Sequence, residues 1–499
     1  MRNSFLSLSL LLLCCLSGAA QNRVQNYIDR QLKTDTLFTN AIVGVLAVDA
    51  DGREIAEWNA DLPLLPASTM KTVTAGLAFE VLGADYRFST RVAHDGHIED
   101  GVLHGNLYIV GGADPTLGSL DTIAYPLDSI FGIWAQAVSK AGIRRIDGSV
   151  VGDDRIFAEE SIHPNWVFDD IGWDYGSGAS GLSFCENLTY FDIAPGAAVG
   201  DPVRITPAGP QAPYITYRNE AVTGPRGSGD KLVYHASALA PVGRMSGTFG
   251  IDAAPRTVAM SNKYGPAACA AEFALFLQEA GVNSKGATDV RHMASSYFVP
   301  AQEDMEVLVE TFSPELRLIV EEMLAISNNF YAETIFKMVG RELVEENQDE
   351  PCGEVTYDMA RAAVKAFLQG QGVSTRGYIQ DDGSGLSRED CLSPRFLTRF
   401  YGWMATRPGF QTYLDCFPGP GRRGTLQYVL PKADPALKRS IHAKSGSLSG
   451  VRCYAGYVDS PDGPLRFAIL VNHYDCPSRK VQPKIEGFME ELARYAASL

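Results

Sequence analysis

No Cys-x-x-Cys pair occurs in this 499-residue chain, so the ligand spacing of the common structural zinc sites is missing. Cys14 and Cys15 sit in the first twenty residues. The other seven (Cys185, Cys269, Cys352, Cys391, Cys416, Cys453 and Cys476) are scattered and odd in number. At least one thiol therefore stays free or pairs with another chain, and no pairing can be read from the spacing. Basic residues are the minority, with 43 Lys and Arg against 59 Asp and Glu, a formal net charge of -16 and a pI near 5.0. Such a surface repels phosphate backbones and argues against nucleic acid as a partner. Beyond the N-terminus no uncharged apolar run approaches membrane-spanning length, which excludes a multi-span membrane protein. A fixed-period repeat is also missing, which disfavours a propeller or a solenoid.

What remains is an ordinary globular composition, 45% hydrophobic and 20% charged, in a chain long enough for two or three domains. Arg2, the apolar run Leu6 to Leu16 and the small residues Gly18-Ala19-Ala20 form a secretory signal pattern over residues 1–20, with cleavage expected near Ala20. Leu13 or Cys14 stands where a lipoprotein would need a small residue. An uncleaved anchor is the alternative. The expectation is an exported protein.

Val24 to Leu37 has the pattern of a short amphipathic helix. Ile42 to Val48 and Glu54 to Trp58 flank Asp51-Gly52 as a hairpin. A helix is expected from Ser68 to about Leu82, ended by Gly83. From about Arg91 to Arg291, short alternating runs broken by many Gly and Pro residues read as β-rich, with helices such as Ile130 to Ala141 and Ala267 to Gly281. Helical pattern resumes at Ser313, a good N-cap, with Leu316, Ile319, Val320, Met323 and Leu324 on one face. Further helices are expected at Tyr331 to Val339 and Thr356 to Leu368. Two strands, Tyr454 to Val458 and Leu465 to Asn472, precede a closing helix from Val481 to Ala496. The expected architecture is α+β. One domain, residues 21–91 with 292–499, carries an antiparallel sheet flanked by helices and assembled from both chain ends, and residues 92–291 form a β-rich insertion of one or two subdomains.

Three short patterns carry chemistry. Ser68-Thr69-Met70-Lys71 puts a lysine one helical turn after a serine, where its amine can take the hydroxyl proton, and a helix N-terminus favours the oxyanion. Alone, the spacing equally describes an N-cap serine and a solvated lysine, and Ser228-Gly229-Asp230-Lys231 repeats it in a surface-loop context. Ser327-Asn328-Asn329 offers a hydroxyl and an amide where a helix runs out, and in isolation is an ordinary helix C-cap. Lys444-Ser445-Gly446-Ser447 on a late strand could bind a peptide carboxylate, or be a strand with a bulge at Gly446. Their order and contexts match the three elements of penicillin-binding proteins and class A β-lactamases, which favours the catalytic reading.

The chain resembles the class C low-molecular-mass penicillin-binding proteins, the D-alanyl-D-alanine carboxypeptidase/endopeptidase family. The stretches that carry the likeness are PASTMK, GGADPTL, DGSVVGDDRIF, SGLSFCEN, SNNFYAETIFKMVG, DGSGLSR and AKSGSLSGVRCYAGYV, with about 255 residues between Lys71 and Ser327. Two departures are Ser445 in place of the family's usual threonine, and Ala113 where GGGDP is commoner. The resemblance implies a β-lactamase/transpeptidase-like domain and acylation of Ser68 by a D-Ala-D-Ala peptide. Lys71 would act as base, Ser327 and Lys444 would pass a proton to the leaving amine, and Asn329 would hold the substrate amide. Ser445 and Lys444 would meet the terminal carboxylate, with Gly446 allowing close backbone approach. The N–H groups of Ser68 and Ser447 would form the oxyanion hole, worth about 3 kcal/mol per donor.

Implied partners are peptidoglycan stem peptides and β-lactams as covalent inhibitors, with peripheral membrane contact compatible and the bacterial periplasm as location. No cofactor or metal is expected. Asp382-Gly383-Ser384-Gly385-Leu386-Ser387 resembles a family loop near the site and is equally a plain Asp-Gly turn. His94-Asp95-Gly96-His97 reads as a hairpin turn, because no third metal ligand stands nearby in the sequence. Competing functions are a β-lactamase or serine esterase on the same scaffold, for which no dedicated deacylating carboxylate is visible, and a non-catalytic wall-binding protein, against which the intact motifs argue.

Overall fold

The structure, a computed structural model, describes residues 23–293, 298–346 and 353–499. The expected signal segment, Cys14, Cys15 and Cys352 lie outside these residues. The chain forms two compact units. One comprises the residues up to Ala84 with Val320–Asn328 and Arg361–Leu499, and the other Asp85–Ile319 with Asn329–Ala360. No helix among the described residues is long and apolar enough to cross a membrane.

The first unit is built on a five-stranded antiparallel sheet in the order Glu54–Trp58, Ile42–Val48, Leu465–Asn472, Val451–Val458, Ile441–Leu448. The expected hairpin and C-terminal strands thus meet in one sheet, with Val45 opposite Ile469. Strand alternation sorts the two faces. Val43, Val45 and Ala47 join Val24, Ile28, Ile485, Phe488, Met489 and Leu492 in one apolar cluster with the helices 23–34 and Ser478–Ala496. Gly44 points the other way. A Cβ there would lie 3.0 Å from both Leu64 and Pro394, the latter at the start of the Pro394–Met404 helix. On this side Tyr457 donates to Tyr401 O at 3.0 Å, and Tyr413 donates to Thr72 O at 2.9 Å in the Met70–Val81 helix. The fold is α+β, as the patterning implies.

The second unit carries a mixed five-stranded sheet in the order Ala287–Asp289, Val150–Asp153, Leu107–Gly111, Ser89–His94, Glu306–Phe312. The helices Leu127–Lys140 and Gly265–Glu279 contribute Phe131, Trp134 and Phe273 to its main apolar cluster. Two smaller sheets between Leu188 and Ser261 enclose Phe191, Tyr234, Met245 and Phe249. Because Glu306–Phe312 pairs with Ser89–His94, this unit continues past the 92–291 window to residue 319.

Three local expectations need correcting. Ser313 does not cap the helix that follows. The helix begins at Leu316, and the Ser313 hydroxyl accepts from Phe88 N at 3.0 Å and donates to Pro314 O at 2.7 Å. Ser68 lies in a short 3-10 turn, Ala67–Thr69, just ahead of the Met70–Val81 helix. Asp95-Gly96 does not join two paired strands, since Ser89–His94 pairs with Leu107–Gly111 while His97–Glu99 pairs with Val102–His104. Asp95 instead accepts from Asn106 N at 2.5 Å and from the Tyr108 hydroxyl at 2.9 Å, which turns the chain out of the five-stranded sheet of the second unit.

Candidate active site

The turn that presents Ser68 is squeezed from two sides. A Cβ on Gly446 of the edge strand would stand 2.6 Å from Pro66 O and 3.1 Å from Ser68 N. One on Gly385 would stand 1.9 Å from Ala67 O, so only glycine lets these two backbones approach. Between them Ala67 is fully buried with φ +46°, a left-handed conformation that costs about 1 kcal/mol or more for a residue with a Cβ. Register along the edge strand is unbroken, with Gly446 opposite Cys453, so no bulge forms there.

Lys71 follows one turn later and is completely buried. Its Nζ donates to Ser68 Oγ and to Ser384 O, each at 2.9 Å. An amine whose N–H is taken by a carbonyl can turn its lone pair to the serine proton, the arrangement a general base requires. The Ser384 carbonyl is set by Asp382, whose carboxylate accepts from the N–H groups of Ser384, Gly385 and Ser387 at 3.0, 2.6 and 2.7 Å. Thr74 of the same helix donates to Gly383 O at 2.7 Å and fixes the loop along it. Below, Asp390 accepts from Asp381 N at 2.7 Å, and burial, reinforced by the Asp382 charge, pushes its carboxyl well above the ordinary range.

Lys444 is also fully buried and donates to Ser445 O at 2.8 Å. Burial first, then the charges of Lys71 and Arg452, hold its amine well below the usual lysine range. Arg452 lies opposite Ser447 in the ladder and reaches the Tyr454 hydroxyl at 2.8 Å. Lys71, Lys444 and Arg452 therefore act on one another, which disfavours the charged form of the buried Lys444 amine and leaves the Arg452 guanidinium as a positive group suited to an anionic substrate terminus. Ser447 itself is exposed.

Ser445 Oγ donates to Thr425 Oγ1 at 2.9 Å, and Thr425 N donates to Ala325 O at 2.9 Å. Arg423 clamps the buried Glu322 with both guanidinium nitrogens. The third motif is thereby tied to the end of the Leu316–Ile326 helix, where the second begins. Ser327 has φ +65°, and Asn328 N donates to Met323 O at 3.1 Å, so the helix closes in a Schellman turn with Ser327 in the place usually held by glycine. A hydroxyl is present there despite the conformational cost. The C-cap and the hydroxyl-bearing motif are the same residue.

Ser68, Lys71, Lys444, Ser445 and Gly446 gather in the first unit, which also holds Ser327, and Thr425 ties Ser445 to Ala325, two residues before Ser327. Asn329 opens the Asn329–Glu345 helix in the second unit, where its amide donates to Tyr175 O at 2.8 Å. Sequence patterning missed Thr425, which belongs to no motif. It missed Arg452, whose place becomes visible only when the last two strands are registered. In sequence alone the Asp382 loop supports two readings, because its contact with Lys71 spans 313 residues.

A family model for D-Ala-D-Ala carboxypeptidase 3 (S13) matches residues 24–494, and the chain belongs to this family. It is a serine-type D-Ala-D-Ala carboxypeptidase. The sequence is 32% identical to the D-alanyl-D-alanine carboxypeptidase of Actinomadura sp. (strain R39), over 96% of this chain and 87% of that one. It is 25% identical to D-alanyl-D-alanine carboxypeptidase DacB of Haemophilus influenzae, over 88% and 87%. The fold is similar to the crystal structure of penicillin binding protein 4 (dacB) from Haemophilus influenzae, with a TM-score of 0.78 at 23% identity, covering 94% of this chain and 98% of that one.

Proposed function

We propose that the enzyme acts on peptidoglycan stem peptides through an acyl-Ser68 intermediate, removing the terminal D-alanine, cutting D-alanyl cross-links, or both. The observation that carries this reading is Lys71 Nζ at 2.9 Å from Ser68 Oγ, with the edge strand pressed against Ser68 N at Gly446. Ser68 Oγ attacks the carbonyl of the penultimate D-alanine while Lys71 takes its proton. The N–H groups of Ser68 and Ser447 stabilise the oxyanion, and Asn329 holds the substrate amide. Ser327 and Lys444 return a proton to the amine as the peptide C–N bond breaks. Lys444, Ser445 and Arg452 receive the terminal carboxylate. Water then adds to the ester carbon, and Ser68 leaves with a proton restored.

In this reading the first compact unit is the catalytic domain and the β-rich second unit an insertion into it. Residues 1–20 direct export to the periplasm of a bacterial cell. β-Lactams acylate Ser68 as substrate mimics, a reading supported by a further penicillin binding protein 4 structure from Haemophilus influenzae complexed with a novel β-lactam. The test is D-alanine release from a stem pentapeptide ending in D-Ala-D-Ala by the protein lacking residues 1–20. Release by wild type and none by Ser68→Ala is expected. Equal release by both would overturn the assignment.

A further inference from the structure

The hairpin His97–Glu99 and Val102–His104 turns at Asp100 and Gly101, whose φ values of +48° and +83° are those of a tight two-residue hairpin turn. Its register is His97 opposite His104, Ile98 opposite Leu103 and Glu99 opposite Val102. Alternation sends Ile98 and Leu103 to the apolar cluster of the second unit and leaves His97, Glu99 and His104 together on the other face. The two imidazoles lie 5.0 Å apart at 23°, and His97 Nε2 is 3.9 Å from Glu99 Oε2. One ligand atom from each of the three residues lies within 4.8 Å of the others. The partners of His97 are therefore not the buried His94 but Glu99 on its own strand and His104 from across the turn.

We propose that His97, Glu99 and His104 form a site for a divalent transition-metal ion, with Zn²⁺ the best fit. Two neutral imidazoles and a carboxylate are the donor set of an open tetrahedral zinc site, with the fourth position left for water. Mg²⁺ and Ca²⁺ prefer oxygen donors and do not match it. Ligand atoms around zinc at about 2.0–2.2 Å stand closer together than 4.8 Å, so small rotations of these exposed side chains bring them onto the ion. The backbone beneath them is held. Val102 and Leu103 pair with Arg145 and Ile146 in parallel. Asp147, itself paired with Lys285 at 3.1 Å, places a carboxylate 3.7 Å from His104 Nδ1, positioned to orient that ring from behind. The ion would clip the two short strands together, and none of its ligands belongs to the residues assigned to peptide cleavage.

The test is calorimetric titration of chelator-treated protein lacking residues 1–20 with ZnCl₂, in wild type and in His97→Ala, His104→Ala and Glu99→Gln variants. All three positions are exposed, so each variant is expected to fold. Wild type should take up one Zn²⁺ that excess Mg²⁺ does not displace, and each histidine variant should bind it at least about tenfold more weakly. Zn²⁺ should also raise the melting temperature of wild type and leave that of the His97→Ala/His104→Ala double variant unmoved. Absence of Zn²⁺ binding by wild type, or binding of unchanged affinity and stoichiometry by the double variant, would overturn the proposal.

Discussion

Lys71 Nζ stands 2.9 Å from Ser68 Oγ, one turn along the same helix start, with Nζ also bound to Ser384 O and the edge strand close to Ser68 N at Gly446. This pair is the chemical centre of the molecule, and the surrounding contacts can be ranked by how they hold it.

Replacing Lys71 with methionine keeps the buried chain length and removes the base. Acylation by a penicillin should slow by at least about 100-fold, the usual contribution of a general base, with the melting temperature little changed. Stopped-flow or gel-based acylation rates check this. An unchanged rate would show that another group takes the serine proton.

Gly446→Ala puts a methyl 2.6 Å from a backbone oxygen that has no room to move. The edge strand must shift away from Ser68, and a displacement on the order of 1 Å at a reacting centre lowers turnover by about 100-fold. Measured kcat/KM for D-alanine release should fall accordingly while the variant still folds. Retained activity would mean that the strand does not need its close approach.

These two positions illustrate what was legible in advance. The hairpin strands Ile42–Val48 and Glu54–Trp58, and the strand runs Tyr454 to Val458 and Leu465 to Asn472, follow from apolar, β-branched runs bounded by turn residues, which are local signals. Ser68, Lys71 and Lys444 were legible as motifs. Thr425 was not, because its value comes from bridging Ser445 and Ala325, a relationship set only by tertiary packing. Ser313 has the local signature of a cap and loses that role to Phe88 N, a donor 225 residues away. The Asp95-Gly96 turn fails for the same reason, since His94 pairs with Leu107 before the chain can fold back on itself.

Ser327 holds a left-handed position that glycine occupies more easily. Ser327→Gly should raise stability by about 0.5–1 kcal/mol while lowering peptide cleavage, a trade of activity for stability. Denaturant unfolding alongside kcat/KM reads both. Loss of stability with full activity would contradict the role given to this hydroxyl.

Asp390 keeps its proton in the fold to a pH well above the ordinary carboxyl range, because it is buried beside Asp382. The unfolded chain releases that proton near pH 4, so above this pH the unfolded state binds fewer protons and wild-type stability declines until the folded pKa is reached. Asp390→Asn keeps the acceptor for Asp381 N and removes the titration. Its melting temperature should gain on that of wild type as the pH rises from about 4 through neutrality. Parallel melting curves across that range would show that the carboxyl is ionised in the fold.

The most direct test of the central claim is covalent labelling with a fluorescent penicillin, comparing the protein lacking residues 1–20 with its Ser68→Ala variant by gel and by peptide mass mapping. A stable adduct is expected on the peptide containing Ser68 in wild type and none in the variant. Label at another residue, or equal labelling of the variant, would contradict that claim.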